Sequence, residues 1–241
     1  VATPNLATGG APLILNEVPS ANRSILKGTQ ELLGGRAAYI LANPSGITCD
    51  GCGFINFPRA TLTTGSPVLS NGTLTGFSVN GGDLLVGPGG LNATGADFFD
   101  IITRATVING RVNAADLSFV LGRNQVDYAT LQATAKAASP ADPAPAFALD
   151  SSELGGMYAG RIWLKGTEAG VGVRALGKMA ASVSEVTMDD NGKITYKGNA
   201  VSAKRDIVLA SSAPGSGIEL DQATVYGAND VSLQGGALTL V

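Results

Sequence analysis

The amino-acid sequence predicts an all-β protein folded as a right-handed parallel β-helix, a single-stranded solenoid with extra-helical β elements and one extruded loop. Apolar residues recur at every second position in short bursts, separated by Gly, Asn, Asp and Ser, which is typical of short strands and turns. Helical periodicity is nearly absent. In the C-terminal third the bursts recur in steps of 20 to 25 residues, the spacing of a repeating coil. The predicted hand follows the general preference for right-handed parallel crossovers.

Three ladders of apolar residues share this period. The first ladder consists of Ile162/Leu164, Val186/Met188, Ile207/Leu209 and Val231/Leu233. The second consists of Val171/Val173, Ile194/Tyr196, Ile218/Leu220 and Leu238/Leu240, and the third of Leu176, Val201 and Val225. Coils of three short strands, stacked in parallel about 4.8 Å apart, explain three phased ladders. A β-sandwich, the alternative architecture, gives no reason for them.

We predict a single domain over residues 1–241. Residues 161–241 should form the regular coils, and residues 1–160 a less regular part with extra-helical elements. The segment from Ala133 to Ala148 is rich in Ala and Pro, and proline cannot donate a hydrogen bond within a central ladder. We therefore expect this segment to be a loop extruded from the solenoid.

Composition excludes several classes of function. The formal charge of −3 and the pI near 4.9 leave no basic stripe to neutralise phosphates, so we expect no nucleic-acid partner. Apolar runs are too short to span a bilayer as a helix, so the chain should not be embedded in a membrane. The sequence has no histidine, the commonest general base and metal ligand. We predict no catalytic residues, no metal and no cofactor.

Cys49 and Cys52 form a C-x-x-C pair. A structural zinc site would need two further ligands of the kind this chain lacks. Redox-active pairs open a helix, whereas the segment that follows, GCGFINFPRATLTTG, favours strands. A structural disulfide across a tight turn is the favoured reading if the protein is exported, with a redox-active pair and reduced thiols as alternatives.

Just before this pair, the stretch Asn43-Pro44-Ser45-Gly46-Ile47 has the composition of a turn. Proline presets the backbone angle φ, the asparagine side chain can bond forward to the backbone, and glycine tolerates a strained conformation. Ile47 should then point back into the core.

The same stretch resembles a signature of two-partner secretion domains, the N-terminal domains of filamentous haemagglutinins, haemolysins and contact-dependent inhibition exoproteins. The family's signatures are Asn-Pro-Asn-Leu and Asn-Pro-Asn-Gly-Ile. Here they read Thr3-Pro4-Asn5-Leu6 and Asn43-Pro44-Ser45-Gly46-Ile47, so each departs by one residue. Further matches occur in the same order along most of the chain, namely RAAYILANP, RATLTTG, GGLNATGADFFDIITRA, GRNQVDYAT and GMYAGRIWL. The C-x-x-C pair is similar to that of the haemolysin and contact-dependent inhibition branch.

The resemblance implies a secretion and folding-nucleation module of a large exoprotein. Its partner would be an outer-membrane β-barrel transporter with periplasmic POTRA domains, and the protein would reach the surface of a Gram-negative bacterium through the periplasm. We expect a monomer. The family's N-terminal cap should be missing, because the chain starts almost at the first signature.

Two other functions are alternatives to secretion. One is an adhesin that binds a host glycan or protein directly. The other is a β-helix enzyme that degrades polysaccharide, which would need clustered carboxylates. The acidic residues are scattered, and the densest patch, Met188 to Gly192, has the composition of a turn between two strands. We therefore predict that the domain is not an enzyme.

Overall fold

The structure, a computed structural model, describes residues 11–139 and 142–241, and the regular secondary structure of these residues is β-strand. The strands in chain order are β1 (Leu13–Glu17), β2 (Ser24–Glu31), β3 (Ala38–Ala42), β4 (Ile47–Thr63), β5 (Ser66–Ser70), β6 (Thr73–Val79), β7 (Asp83–Val86), β8 (Leu91–Thr103), β9 (Ala105–Ile108), β10 (Val112–Ala114), β11 (Asp116–Leu121), β12 (Asn124–Asp127) and β13 (Ala133–Ala135). They continue with β14 (Phe147–Ser151), β15 (Met157–Ala159), β16 (Arg161–Gly166), β17 (Gly172–Ala175), β18 (Met179–Ala181), β19 (Val186–Asp190), β20 (Ile194–Tyr196), β21 (Asn199–Ser202), β22 (Ile207–Ser211), β23 (Ile218–Leu220), β24 (Thr224–Gly227), β25 (Val231–Gln234) and β26 (Leu238–Leu240).

Twenty-two of these strands pair in parallel and build the three faces of a β-helix. Face A stacks β1, β3, the end of β4, the end of β8, β11, β16, β19, β22 and β25. Face B stacks the start of β2, the start of β4, β7, β9, β14, β17, β20, β23 and β26. Face C stacks the end of β2, the middle of β4, the start of β8, β10, β15, β18, β21 and β24. The predicted right-handed parallel β-helix is confirmed.

Long strands turn the corners in the first coils. β4 runs over all three faces, with register shifts between Gly53 and Ile55 and between Ile55 and Phe57. Such irregularities bend a strand and let it leave one face for the next. In the C-terminal coils the strands have three to six residues and a turn lies at every corner, which is the regularity that the sequence showed.

The core fills the inside of the coils, and the first ladder is confirmed in register. Ile162 pairs with Val186, Val186 with Ile207, and Ile207 with Val231. The first three are almost completely buried, while Val231, in the last described coil, is 43% exposed. Each coil therefore depends on the next one to cover its apolar residues.

The other two ladders need correction. The second begins at Val173 and Ala175, since Val173 pairs with Ile194; the prediction that Val171 and Val173 begin it was wrong by two residues. The third is Met179, Ala200 and Val225. Leu176 precedes β18 and Val201 lies on the outer side of β21. An inward alanine next to an outward valine reverses the hydrophobic pattern, and the prediction followed the larger side chain.

Four strands lie outside the solenoid and form an antiparallel sheet in the order β13, β12, β6, β5. This sheet covers part of the outer side of face A. The contact between them is a second apolar cluster, formed by Ile40, Ala42, Phe77, Val79, Ile102, Val120 and Val126. Outer positions of a solenoid strand are ordinarily polar, so this cluster explains why face A is apolar on both sides at these coils.

The Ala/Pro-rich segment leaves the solenoid as predicted, but its ends are strands. Ala133–Ala135 forms β13 of the outer sheet, and Phe147 already belongs to β14 of face B. Asp142 holds the segment to the solenoid, since its two carboxylate oxygens accept from Arg104 at 2.7 Å and from Arg123 at 2.9 Å. Two ion pairs therefore hold the described part of the segment against the rest of the domain.

Ion pairs also join neighbouring coils on the outer surface. Arg174 pairs with Asp150, Arg161 with Asp116 and Lys165 with Asp189, each across one coil-to-coil step. A long apolar helix of the kind that crosses a membrane was not found in the described ranges.

Candidate functional site at the Asn43–Ile47 turn

The candidate site lies at the corner where face A passes into face B. Asn43-Pro44-Ser45-Gly46 forms a tight turn, closed by the Gly46 amide, which donates to the Asn43 carbonyl at 3.0 Å. The Ser45 amide donates to the Asn43 side-chain oxygen at 2.9 Å. Asparagine first, proline second and glycine fourth are the preferences of a type I turn, which is why this sequence bends here. Ile47 then begins β4 and is completely buried.

The side chain of Asn43 is completely buried and fully used. Its amide nitrogen donates to the carbonyl of Asn22 at 2.9 Å and to the hydroxyl of Ser24 at 2.8 Å, both in the preceding coil. Its backbone amide donates to the carbonyl of Thr63, in the following coil, at 2.9 Å. One residue therefore joins three successive coils, and removal of its side chain would leave buried polar groups without a hydrogen-bond partner.

Arg23 clamps the same turn from the first coil. Its guanidinium donates to the carbonyl of Ile47 at 2.7 Å and to the hydroxyl of Thr48 at 2.7 Å. It also forms a two-pronged ion pair with Asp83 of the third coil, at 2.9 and 2.7 Å. Planar, two-pronged arginine–carboxylate pairs are among the stronger charged contacts. The clamp therefore spans the coils on both sides of the turn.

Two glycines make this close approach possible. Gly46 has φ of +103°, and a Cβ there would lie 2.6 Å from a guanidinium nitrogen of Arg23. Gly82 has φ of +74°, and a Cβ there would lie 2.5 Å from the carbonyl oxygen of Pro44. Both the backbone angle and the space exclude a side chain at these positions.

The structure thus brings Asn43, Pro44, Ser45, Gly46 and Ile47 into one turn. Pro4, Asn5 and Leu6 lie outside the described residues. The sequence did not reveal the partners Asn22, Ser24, Arg23, Asp83 and Gly82, because the hydrogen bonds around the turn join residues that are 19 to 60 positions apart. Contacts between coils depend on exact register, which a single sequence specifies only through its strongest ladders.

Cys49 and Cys52 lie one corner further on, where β4 passes from face B to face C. Their sulfur atoms are joined in a disulfide, with the two Cα atoms 5.3 Å apart. Both residues are buried, at 0% and 3% exposure. Exchange requires a thiolate to reach one of the sulfurs, so this burial favours an architectural role over a redox-active one. The oxidation state in exported protein stays a prediction.

A carboxylate lies inside the core at Asp190. The turn predicted over Met188 to Gly192 is wrong for its first three residues, because β19 extends to Asp190. The side chain of Asp190 points inward. Asp190 is completely buried, and neither carboxylate oxygen has a hydrogen-bond partner within the described ranges. Burial, and secondly the charge of Asp189, raise the pKa of Asp190 to about 7, while the nearby backbone amide of Gly192, outside good hydrogen-bond geometry, and the charge of Lys165 oppose the shift. Gly166, one coil earlier, leaves the space that this carboxylate occupies.

A second buried carboxylate lies on the outer side of face A, beneath the outer sheet. Asp100 accepts from Arg59 at 2.5 Å and from Thr61 at 3.1 Å. Burial raises its pKa, and the Arg59 charge opposes that shift. This pair, unlike Asp190, has its charge compensated. In the described part of the chain, no three Cys, Asp or Glu residues are placed to hold a metal ion.

Comparison with known proteins places these features in context. The sequence profile of the TPS secretion domain family matches residues 3–196. The chain is 45% identical over 224 residues to the toxin CdiA of Yersinia pestis, covering 93% of this chain and 7% of that protein. It is 45% identical over 198 residues to the tRNA nuclease CdiA-2 of Burkholderia pseudomallei (strain 1026b), covering 81% of this chain and 6% of that protein.

A solved structure shows the same architecture. The crystal structure of a filamentous hemagglutinin secretion domain superposes with a TM-score of 0.78 at 34% sequence identity, covering 99% of this chain and 77% of that one. The chain therefore spans less than a tenth of the curated relatives named above, but nearly all of it superposes on the solved domain.

Proposed function

Because this chain belongs to the family of TPS secretion domains, we propose that it is the secretion and folding-nucleation module of a large exoprotein, recognised by the POTRA domains of an outer-membrane transporter. Members of the family are exported through the periplasm to the cell surface, and this chain has the same destination. The observation that carries the proposal is the Asn43–Ile47 turn, which ties three coils together with side chains from each.

The geometry supports a role in nucleation. A solenoid folds by adding coils to a neighbour that is already formed, and the first coils have no such neighbour. Asn43 and Arg23 supply contacts between coils that do not depend on a long stack, and the disulfide between Cys49 and Cys52 fixes one corner within the second coil. The apolar ladder through Ile162, Val186 and Ile207 then gives each later coil a formed neighbour to stack on.

We assign no chemical reaction to the domain. Toxin and nuclease activities belong to the names of relatives of which this chain matches 7% and 6%. Under this proposal, the activity of the full exoprotein lies outside the part that this chain matches. The domain itself serves to export the exoprotein and to start its folding.

Export of the Asn43→Ala chain, beside its transporter, tests the proposal. We expect the variant to remain in the periplasm, while Asn199→Ala, an exposed asparagine of a late coil, is exported normally. Binding of both chains to the isolated POTRA domains should show the same contrast. Normal export of Asn43→Ala would contradict a transport role for the turn.

A second variant separates recognition from stability. Gly82→Ala strains the same turn from the next coil without altering any signature residue. If the transporter recognises the signature itself, Asn43→Ala should reduce export more than Gly82→Ala does, when the two variants have lost equal amounts of unfolding free energy. Equal export at equal stability would mean that the turn acts only through folding.

A further inference from the structure

A groove runs along the outer side of face C in the first coils. Thr29, Gly53, Asn92, Asn113 and Tyr158 occupy the same outward position in successive coils. Since Gly53 has no side chain, the row is interrupted by a depression between Thr29 and Asn92. The depression consists of two adjoining cavities of about 410 and 290 Å³, and Thr29, Gly53 and Asn92 line both of them. From Thr29 to Asn113 the row spans roughly 14 Å, three steps of about 4.8 Å.

The groove presents amide groups with unused bonding capacity. The side-chain oxygen of Asn92 accepts from the amide and hydroxyl of Thr94, at 3.2 and 2.8 Å, which leaves its nitrogen free to donate. Asn113 makes no side-chain hydrogen bond within the described ranges and is partly exposed. Side-chain amides both donate and accept, which suits a ligand that carries hydroxyl groups.

Arg111 adds a positive charge at one end of the groove. Seven of the nine arginines have a carboxylate within 4.0 Å, and Arg111 and Arg205 are the two without one among the described residues. The guanidinium carbon of Arg111 lies over the ring of Tyr158, 4.4 Å from its centre. This stacking fixes the side chain and leaves its planar donors available for a carboxylate.

The floor of the groove disfavours a peptide ligand. Thr29, Gly53, Asn92 and Asn113 belong to strands that are paired in one continuous parallel stack. Their main-chain groups are therefore used, and an extended peptide could not add as a further strand. A saccharide needs only side-chain donors and acceptors, which the groove supplies.

We propose that the face C groove binds a carboxylate-bearing oligosaccharide. The carboxylate lies against Arg111, and sugar hydroxyls bond to Asn113, Asn92 and Thr29. This binding is independent of export, since the groove lies on a different corner and face from the Asn43–Ile47 turn.

Calorimetric titration of the 241-residue chain tests the proposal. The probes are a galacturonate tetramer and a hyaluronan tetrasaccharide, with maltotetraose, a tetraglutamate peptide and inorganic phosphate as comparisons. We expect at least one of the two acidic saccharides to bind, and to bind more tightly than all three comparison compounds. Absence of binding by both acidic saccharides would overturn the proposal, as would equal or tighter binding of the peptide or of phosphate.

Variants localise the site. Arg111→Gln should weaken binding at least about tenfold, the loss expected for a hydrogen-bonded charge pair. Arg205→Gln, the matched arginine outside the groove, should leave binding unchanged. Thermal unfolding of both variants checks that the fold persists. Equal losses in the two variants would mean attraction to charge in general and would refute the assigned site. Export is measured separately with Asn43→Ala, so failure of either proposal is distinguishable from failure of the other.

Discussion

Replacing Asp190 by asparagine should stabilise the protein at neutral pH and leave it almost unchanged near pH 4. The carboxylate is buried inside the coils without a hydrogen-bond partner in the described ranges, and its pKa is raised from 3.8 to about 7. In the unfolded chain the same group ionises near its ordinary value. Because the pKa is raised in the folded state, the stabilisation that comes from the protonated carboxyl group of Asp190 is fully present below pH 4. This contribution declines as the pH rises and is lost once the pH passes 7.

The magnitude follows from the difference between the two pKa values. About three pH units, at about 1.4 kcal/mol for each unit, correspond to roughly 4 kcal/mol lost between pH 4 and pH 7. Asparagine has nearly the same shape and no charge to desolvate. The advantage of Asp190→Asn should therefore grow from about zero at pH 4 to several kcal/mol at pH 7.5.

Urea unfolding from pH 4 to pH 8, followed by tryptophan fluorescence, measures this difference. The single tryptophan, Trp163, lies in β16, and its strand partner Thr187 is in β19, the strand that carries Asp190. Asp230→Asn, at an exposed position of the last described coil, serves as the control. A stability difference between wild type and Asp190→Asn that does not change with pH would refute the reasoning.

Two further predictions concern the first coils. Mass spectrometry of protein from the culture medium should find Cys49 and Cys52 oxidised, and free thiols in that protein would contradict this prediction. Because the disulfide closes a very short loop, the double replacement of Cys49→Ser and Cys52→Ser should cost only about 2 kcal/mol of unfolding free energy. Gly46→Ala should cost about 1–3 kcal/mol in denaturant unfolding, because it combines a positive φ with a clash against Arg23, whereas Gly72→Ala, also at positive φ but with open space around its Cβ position, should cost less.

The sequence predicted the solenoid where large apolar residues repeat in phase, as Ile162, Val186 and Ile207 do. It misplaced the third ladder because Ala200 points inward while the larger Val201 points outward. Asp190 was assigned to a turn because inward charged residues are rare and two aspartates before Asn-Gly resemble a turn. In each case the position of the strand overrode the preference of the side chain.

The outer sheet was predicted only as unspecified extra-helical elements. One signal could have located its first hairpin, since Asn71-Gly72 lies between two runs of strand formers and joins β5 to β6 with positive φ at both residues. The pairing of β6 with β12 joins segments about fifty residues apart and leaves no local trace. The turn at Asn43 was predicted from its own residues, while its clamp by Arg23 and Asp83 required the register of three coils.

The Arg23–Asp83 pair sets a condition on timing. The two residues are 60 positions apart, and the turn that Arg23 clamps lies between them. A chain that emerges from its N-terminus gains the turn early but cannot close the clamp until Asp83 has also emerged. Before that point only the hydrogen bonds of Asn43 and Arg23 within the first two coils hold this corner, and afterwards a backward step must also break a two-pronged ion pair. Under the proposed secretion function, the position of Asp83 along the sequence sets how much of the chain must be outside before all contacts of this corner can form.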